Sequence, residues 1–516
     1  MILLMHQLLL HGAMKQPDKT AFRWVDRNTE LTYSQAVERM ERFAGVLHYL
    51  GVAKRERVTI FAQNSLDYLL AMFACWRIGA IAALVDVQFA DQLEYYLDDH
   101  QPSVVIYGQE WAEQVSRSAA EVRSIRHLVC MEGAQIGSES LPALLAAGFP
   151  TPIDPGNELA IAHLSYTAGT SGQPKGVCLM HEPTMKAANC IAERLQLTLD
   201  DSSLGVTNFA SWYQLIGNLL PMLHRMATIN IISGWTPKLG WQAIEDTKAT
   251  VLVANPGILS DIAEEAKVRG RTPGALRMGL SGGWPAAKQL KIAWRDELKV
   301  PLLESYGQSE LGGFAAMGYP QFEPDRRLSA IGPVQPDKEV RILDAAGKEV
   351  PVGHIGEICL RGGYMYGYWG KADKTAEVMR GEWLHTGDAG WIDHEGYITV
   401  RGRFTEIITV GNKTWFPRDI EEAITVLPEI KQAAVIGIPD PQLGERPIAY
   451  VVLLQPKADL SAIKAALKTR VDYDISVLRI EKIDQLPITP NGNVAKAQLK
   501  ALAIRKQALS NVDNNN

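Results

Sequence analysis

Short apolar runs alternate with longer helical stretches over much of this chain, and that alternation restricts its fold more than any other feature. Residues 33–50 and 66–78 carry helical spacing, whereas 57–61, 80–85 and 103–107 are compact and apolar. Strands that alternate with helices imply βαβ units around a largely parallel sheet. The rhythm returns from 200 to 310, with apolar runs at 228–232, 250–253 and 278–280. Two such stretches predict two doubly wound subdomains. From 320 to 404 the spacing shortens, with runs at 339–343, 356–360 and 397–400 between glycine-rich turns. That predicts a small β-barrel or a distorted sheet. After Arg403 a compact α+β segment follows, carried by 420–427, 432–438, 448–454 and 460–470. The expected fold is a large α/β N-terminal domain over 1–404 and a small α+β C-terminal domain over 405–516. A chain of 516 residues needs such a division, because single cores stop growing well below that length. The last six residues, 511–516, read as disordered.

Within this frame one loop carries chemistry. Ser165-Tyr-Thr-Ala-Gly-Thr-Ser-Gly-Gln-Pro-Lys-Gly176 packs glycines, hydroxyls and a lysine between the apolar runs 159–162 and 177–180. Glycines let backbone N–H groups close around an anion, and the hydroxyls and lysine add donors and charge. The stretch reads as a grip on nucleotide phosphates. It is not the G-x-x-x-x-G-K-[ST] loop, because Pro174 precedes the lysine and Gly176 follows it. A formal net charge of −6 offers no ground for a nucleic acid or anionic membrane partner. The five cysteines are scattered and form no CxxC pair, so they read as reduced thiols of a cytoplasmic protein. No apolar run is long enough to span a membrane. The apolar start, residues 1–5, lacks a basic leader and reads as the beginning of an amphipathic helix.

The loop resembles the signature of the adenylate-forming ligases, which include acyl-CoA synthetases, peptide-synthetase adenylation domains and luciferases. Four further stretches fall in that family's order. The resemblance therefore covers essentially the whole chain. It implies ATP and Mg²⁺ as cofactors, with Thr167, Gly169, Thr170, Ser171, Gly172 and Lys175 around the phosphates and Thr170 beside the metal. Ser281-Gly-Gly-Trp-Pro285 is similar to the family's loop along the adenine and acyl pocket, which implicates Gly282, Gly283 and Trp284. Glu304-Ser-Tyr-Gly-Gln-Ser-Glu310 resembles its Y-G-x-T-E. By that likeness Glu304 and Tyr306 lie at the nucleotide, and Gly307 leaves room for the acyl carboxylate. Ser309 keeps the hydroxyl of the usual threonine, and Glu310 holds Mg²⁺ through oxygen. Trp383-Leu-His-Thr-Gly-Asp388 resembles its T-G-D, with Asp388 accepting from the ribose hydroxyls and Arg403 adding contacts.

The same likeness makes Thr405 the hinge of a mobile C-terminal domain, where the family usually has Asp or Lys. It makes Gly411 and Asn412 the acceptor channel, where many members have two glycines. Leu486-Pro-Ile-Thr-Pro-Asn-Gly-Asn493 matches the loop of the adenylating lysine, but asparagine stands at that position. Asparagine donates hydrogen bonds without charge. Ser211 falls where many relatives have histidine. With Trp212, Trp284 and Gly312 it is expected to line an acyl pocket for a bulky or cyclic, mainly apolar carboxylic acid. No acidic residue stands out to bind an α-amino group, so an amino acid is not the expected activated acid.

These residues predict an AMP-forming ligase that joins the acid to an acceptor. CoA, as a co-substrate thiol, and an amino acid, as in the coronafacate-ligase-type amide ligases, both fit as that acceptor. Loading of a carrier protein is an alternative. So is a non-adenylating relative that binds or transfers a ready-made acyl-adenylate, because Asn493 replaces the lysine.

Overall fold

The computed structural model describes residues 4–152, 157, 159–167, 173–283, 285–321, 324–328, 330–454, 459–488 and 494–513. They form two compact units. The first takes in the chain up to Thr167, Pro174–Val340 and Leu360–Leu384; the second takes in Arg341–Cys359 and the chain from His385 onward.

The first unit is built on two eight-stranded sheets, and both expected βα subdomains are present. In one sheet Leu302–Gln308, Met278–Ser281, Val251–Ala254, Ser202–Gly205, Thr228–Ile231 and Thr20–Trp24 run parallel in that order. Gly313–Met317 and Thr29–Thr32 close its edges antiparallel. In the other, Ile161–Tyr166, Ile81–Leu84, Arg57–Phe61, Val104–Tyr107 and His127–Cys130 are parallel neighbours. Gly176–Met180 folds back antiparallel on Ile161–Tyr166, and the two-residue strand Gly367–Tyr368 pairs with it. Loops at the carboxyl ends of such strands are the usual ligand edge of an open parallel sheet.

Local chemistry explains the helices. Thr32 and Gln35 form a reciprocal capping box that starts Tyr33–Tyr49. Ser65 accepts from the Tyr68 amide and starts Leu66–Arg77. That second helix is buried at Leu66 and from Tyr68 to Trp76. A helix apolar on all sides belongs in a core, and Trp76 ties it there by donating Nε1–H to the Ala162 carbonyl at 3.0 Å. Among the described residues, no helix is long and apolar enough to cross a membrane.

Within the second unit, the chain after Arg403 is α+β, as expected. Ile430–Asp440 and Gly444–Leu453 form a long antiparallel pair, extended by Ile408–Val410 and Arg479–Lys482. The helices Pro417–Thr425 and Leu460–Leu467 contribute Ile420, Ile424, Ile463 and Leu467 to one core with Trp415 and Val435. One expectation is corrected here. Residues 511–513 were expected to be disordered, but they continue the helix Lys496–Asp513. Once a helix is nucleated each added residue gains a hydrogen bond, which outweighs the polar composition of this end.

The strand Leu302–Gln308 is anchored by a buried ion pair. Lys291 Nζ lies 2.5 Å from Glu304 Oε2, and both side chains are 6% exposed. Glu304 Oε1 accepts from the Ala286 amide at 3.1 Å, and Lys291 also donates to the Arg327 carbonyl at 3.0 Å. Removing one member strands a buried charge. Lys291→Met should cost about 3–5 kcal/mol in urea unfolding, and a double Lys291→Met, Glu304→Leu variant should recover most of it.

Candidate active site

Loops from the carboxyl ends of four strands carry candidate residues of the first unit, and Glu304, Tyr306 and Gly307 lie on one of those strands, Leu302–Gln308. The loop that begins at Thr167 leaves Ile161–Tyr166. Its stems are joined where the Thr167 amide donates to the Lys175 carbonyl at 3.0 Å and the Lys175 amide donates to Thr167 Oγ1 at 3.4 Å. Gly169, Thr170, Ser171 and Gly172 lie outside the described residues, as do Trp284 and Asn493.

Lys175 and Glu310 meet at one side chain. Glu310 follows the strand Leu302–Gln308 and is fixed by a backbone bond from the Met365 amide to its carbonyl, 2.8 Å. Tyr368 donates its hydroxyl to Glu310 Oε1 at 2.7 Å. Lys175 Nζ stands 4.7 Å from the centroid of the same Tyr368 ring. Tyr368 is a candidate residue that sequence reasoning missed. Its one signal is an aromatic pair between glycines, Gly367-Tyr-Trp-Gly370. The contact follows from Gly367–Tyr368 pairing with Gly176–Met180, a match across nearly two hundred residues that no periodicity announces.

A second cluster surrounds Gly307. A Cβ there would come within 2.8 Å of the Gly313 carbonyl, 3.0 Å of the Phe314 ring and 3.0 Å of the Trp212 indole. Trp212 sits edge-on to Phe314 with centroids 5.7 Å apart, and Tyr213 lies 5.8 Å from the same ring. The helix that presents them opens at Ser211 and passes into a π turn at Leu215–Leu219, a form that recurs at functional sites. Tyr213 is buried and donates to the Leu280 carbonyl at 2.8 Å. Its ring occupies the space a Cβ on Gly282 would need, at 2.2 Å. Gly283 adopts φ +92°, open to glycine above other residues. Tyr306 and Ser309 are buried, on the strand that carries Gly307 and on its following turn. Gly312 turns left-handed with the Gly363 carbonyl 3.0 Å from its absent Cβ.

The remaining candidates belong to the second unit. Asp388 and Arg403 face each other across an antiparallel pair. Arg403 Nε lies 3.0 Å from Asp388 Oδ1 and its NH1 donates to the Thr386 carbonyl at 2.9 Å. The strand Trp383–Ile392 is pinned just before Asp388 by the Gly387 amide donating to Glu357 Oε1 at 3.1 Å. His385 Nδ1 lies 2.7 Å from the other Glu357 oxygen and 3.4 Å from Cys359 Sγ. Thr405 is the middle residue of the 3-10 turn Phe404–Glu406. Gly411 and Asn412 are the two-residue turn between Ile408–Val410 and Lys413–Trp415, with Gly411 at φ +61°.

The loop that carries Asn493 is closed by an antiparallel bridge between Ile488 and Val494. Lys496, the next lysine, is held inside the second unit. Its Nζ lies 2.9 Å from Glu406 Oε2 and 3.0 Å from Glu421 Oε1. Burial opposes its charge, but Glu421 and Glu406 outweigh that and raise its pKa.

Comparison with known proteins places these features in context. The family model described as AMP-binding enzyme matches residues 9–369, and the one described as AMP-binding enzyme C-terminal domain matches 419–493. An indoleacetate–CoA ligase from Aromatoleum aromaticum is 30% identical over 498 residues, 95% of this chain and 96% of that protein. A feruloyl-CoA synthase from an Amycolatopsis species is 29% identical over 492 residues, 95% of this chain and 96% of that protein. The crystal structure of an anthranilate CoA ligase with anthranoyl-AMP superposes with a TM-score of 0.90 at 24% identity, covering 98% of this chain and 99% of that one. It shares the fold.

The Lys496 environment yields a pH dependence. A raised folded-state pKa means the pair stabilises fully below the unfolded lysine value of about 10.4 and loses that contribution as pH rises through the folded value. The second unit should therefore weaken from about pH 10 upward. Lys496→Met should cost about 3–5 kcal/mol at neutral pH, because two carboxylates are left facing each other, and should flatten the alkaline decline. Urea unfolding of both proteins across pH reads the two effects.

Proposed function

We propose that this chain, which belongs to the AMP-binding enzyme family and is an AMP-forming ligase, activates an aromatic or other cyclic, mainly apolar carboxylic acid as its acyl-adenylate and passes it to the thiol of CoA. The observation that carries the choice of acid is the aromatic wall at Gly307, built by Trp212, Tyr213 and Phe314. Flat rings in edge-on order suit a flat apolar guest. Two relatives named for indoleacetate and feruloyl substrates support the acid, and their names support CoA.

In this reading the loop 167–175 closes on the phosphates. Gly282, Gly283 and Tyr306 form the adenine side, Glu304 serves there only through its backbone because its carboxylate is committed to Lys291, and Asp388 with Arg403 takes the ribose. Glu310 suits Mg²⁺: its Oε1 is held by Tyr368, and among the described residues Oε2 accepts no hydrogen bond. When bound, the ion would neutralise charge on the phosphate oxygens. Lys175 adds a positive charge on the same side. Ser309 keeps a hydroxyl next to Glu310. Ser211 and Gly312 border the wall. The domain boundary falls near residue 404, Thr405 is the hinge, and the turn Gly411–Asn412 borders the acceptor channel.

Two experiments test the reading. Aromatic and aliphatic acids crossed with CoA and with the common amino acids, read by product mass, should give an aromatic acyl-CoA with no amine present. A stable amide formed without CoA, saturating in one amino acid, would replace CoA by an amine acceptor.

Asn493→Lys should raise pyrophosphate release from ATP and the acid by about 10²–10³, the worth of a placed donor at a developing anionic centre. Transfer from a supplied acyl-adenylate should change little. An unchanged pyrophosphate rate would mean that this loop does not close over the reaction.

A further inference from the structure

The segment Gly367–Lys371 touches the metal-side carboxylate, the loop lysine and both stems of the phosphate loop. Tyr368 donates to Glu310 Oε1 at 2.7 Å and lies under the Lys175 ammonium, 4.7 Å from ring centroid to Nζ. The Trp369 amide donates to the Gly176 carbonyl at 2.7 Å, on the stem that leaves the loop. Lys371 pairs with Asp99, and Asp99 Oδ2 accepts from the Tyr166 hydroxyl at 2.8 Å, on the stem that enters it. Tyr166 is further held by His100 Nδ1 at 3.0 Å, and His100 Nε2 lies 2.7 Å from Thr59 Oγ1. Burial holds that imidazole neutral, with its pKa lowered to about 3. Tyr95 closes the arrangement by donating to the Pro174 carbonyl at 2.5 Å.

We propose that Tyr368 is the positioning residue of the metal–nucleotide site. Its hydroxyl orients Glu310 toward the cation, and its ring parks Lys175 beside the phosphates. The proposal rests on the reading of Glu310 as the Mg²⁺ carboxylate. The physical case is the division of labour on one side chain. A carboxylate with one oxygen held by a donor presents its other oxygen in a fixed direction, and loss of such a partner typically weakens metal binding by about 10–100-fold. A cation over an aromatic face is held by the ring rather than by the hydroxyl. The two functions are therefore separable by substitution. Lys371 and Asp99 act at one remove, by holding the entering stem against this segment.

The test is binding without turnover. Mn²⁺ serves as the probe, in the presence of ATP and with the acid withheld, and free Mn²⁺ is read by its electron paramagnetic resonance. ATP affinity at saturating Mg²⁺ is read by calorimetry. Tyr368→Phe keeps the ring and should weaken Mn²⁺ about 10-fold, with ATP affinity at saturating Mg²⁺ within about twofold of the parent. Tyr368→Leu removes both functions and should weaken Mn²⁺ equally while also lowering ATP affinity. Lys371→Met should lower ATP affinity and leave the metal titration in place.

Glu310→Gln separates the two layers of the argument. If it leaves Mn²⁺ binding unchanged, the assignment of Glu310 is wrong. If Glu310→Gln weakens the metal and Tyr368→Phe does not, Glu310 stands and the role of Tyr368 is overturned. Equal loss of metal and ATP in Tyr368→Phe and Tyr368→Leu would also overturn it, because a purely structural residue would not separate the two readouts.

Discussion

Parallel strands deliver their carboxyl ends to one edge, and in the first unit every candidate residue depends on that delivery. Ser202–Gly205, Met278–Ser281 and Leu302–Gln308 belong to one parallel set, and the turns that follow them hold Ser211 and Trp212, Gly282 and Gly283, and Ser309 and Glu310. The loop that begins at Thr167 leaves Ile161–Tyr166 in the other sheet in the same way. Groups of residues far apart in sequence, from Thr167 to Glu310, thus lie at the carboxyl ends of parallel strands. The helices pay for this arrangement by burying both faces of the sheets, which is why Leu66–Arg77 is apolar on all sides.

At that edge, absent side chains matter as much as present ones. Gly307 and Gly282 sit where a Cβ would collide with the Trp212 and Tyr213 rings respectively. These two contacts let the aromatic wall stand close to the strand ends. The same wall reaches Gly217 inside the π turn, where a Cβ would lie 3.0 Å from the Phe314 ring. The arrangement of these rings is therefore a packing result rather than a property of any one motif.

The second unit handles charge differently. Lys496 is enclosed by Glu406 and Glu421, and Asp388 is met by Arg403 on a strand that Glu357 pins at Gly387. A lysine bound to two carboxylates has its ammonium committed to the fold. This weighs against Lys496 as a stand-in for a lysine at 493.

Much of this was readable from the chain alone. Helical spacing at 33–50 became Tyr33–Tyr49, and the run 57–61 became Arg57–Phe61, because burial on one or both faces dictates the residue pattern. The family resemblance and its ligase chemistry were also legible, since the glycine–hydroxyl loop and the short motifs are local. What the chain could not announce was pairing at a distance. Thr20–Trp24 enters the sheet beside Thr228–Ile231, and Gly367–Tyr368 crosses to Gly176–Met180 and brings Tyr368 between Lys175 and Glu310. Glu304 reads in sequence as a motif residue, and only the fold showed its carboxylate turned to Lys291. Sequence by itself determined the elements, the family and the local loops, because these depend on periodicity and backbone freedom. Tertiary structure alone decided which side chains meet, because strand register and close packing are set by contacts between residues far apart in the chain.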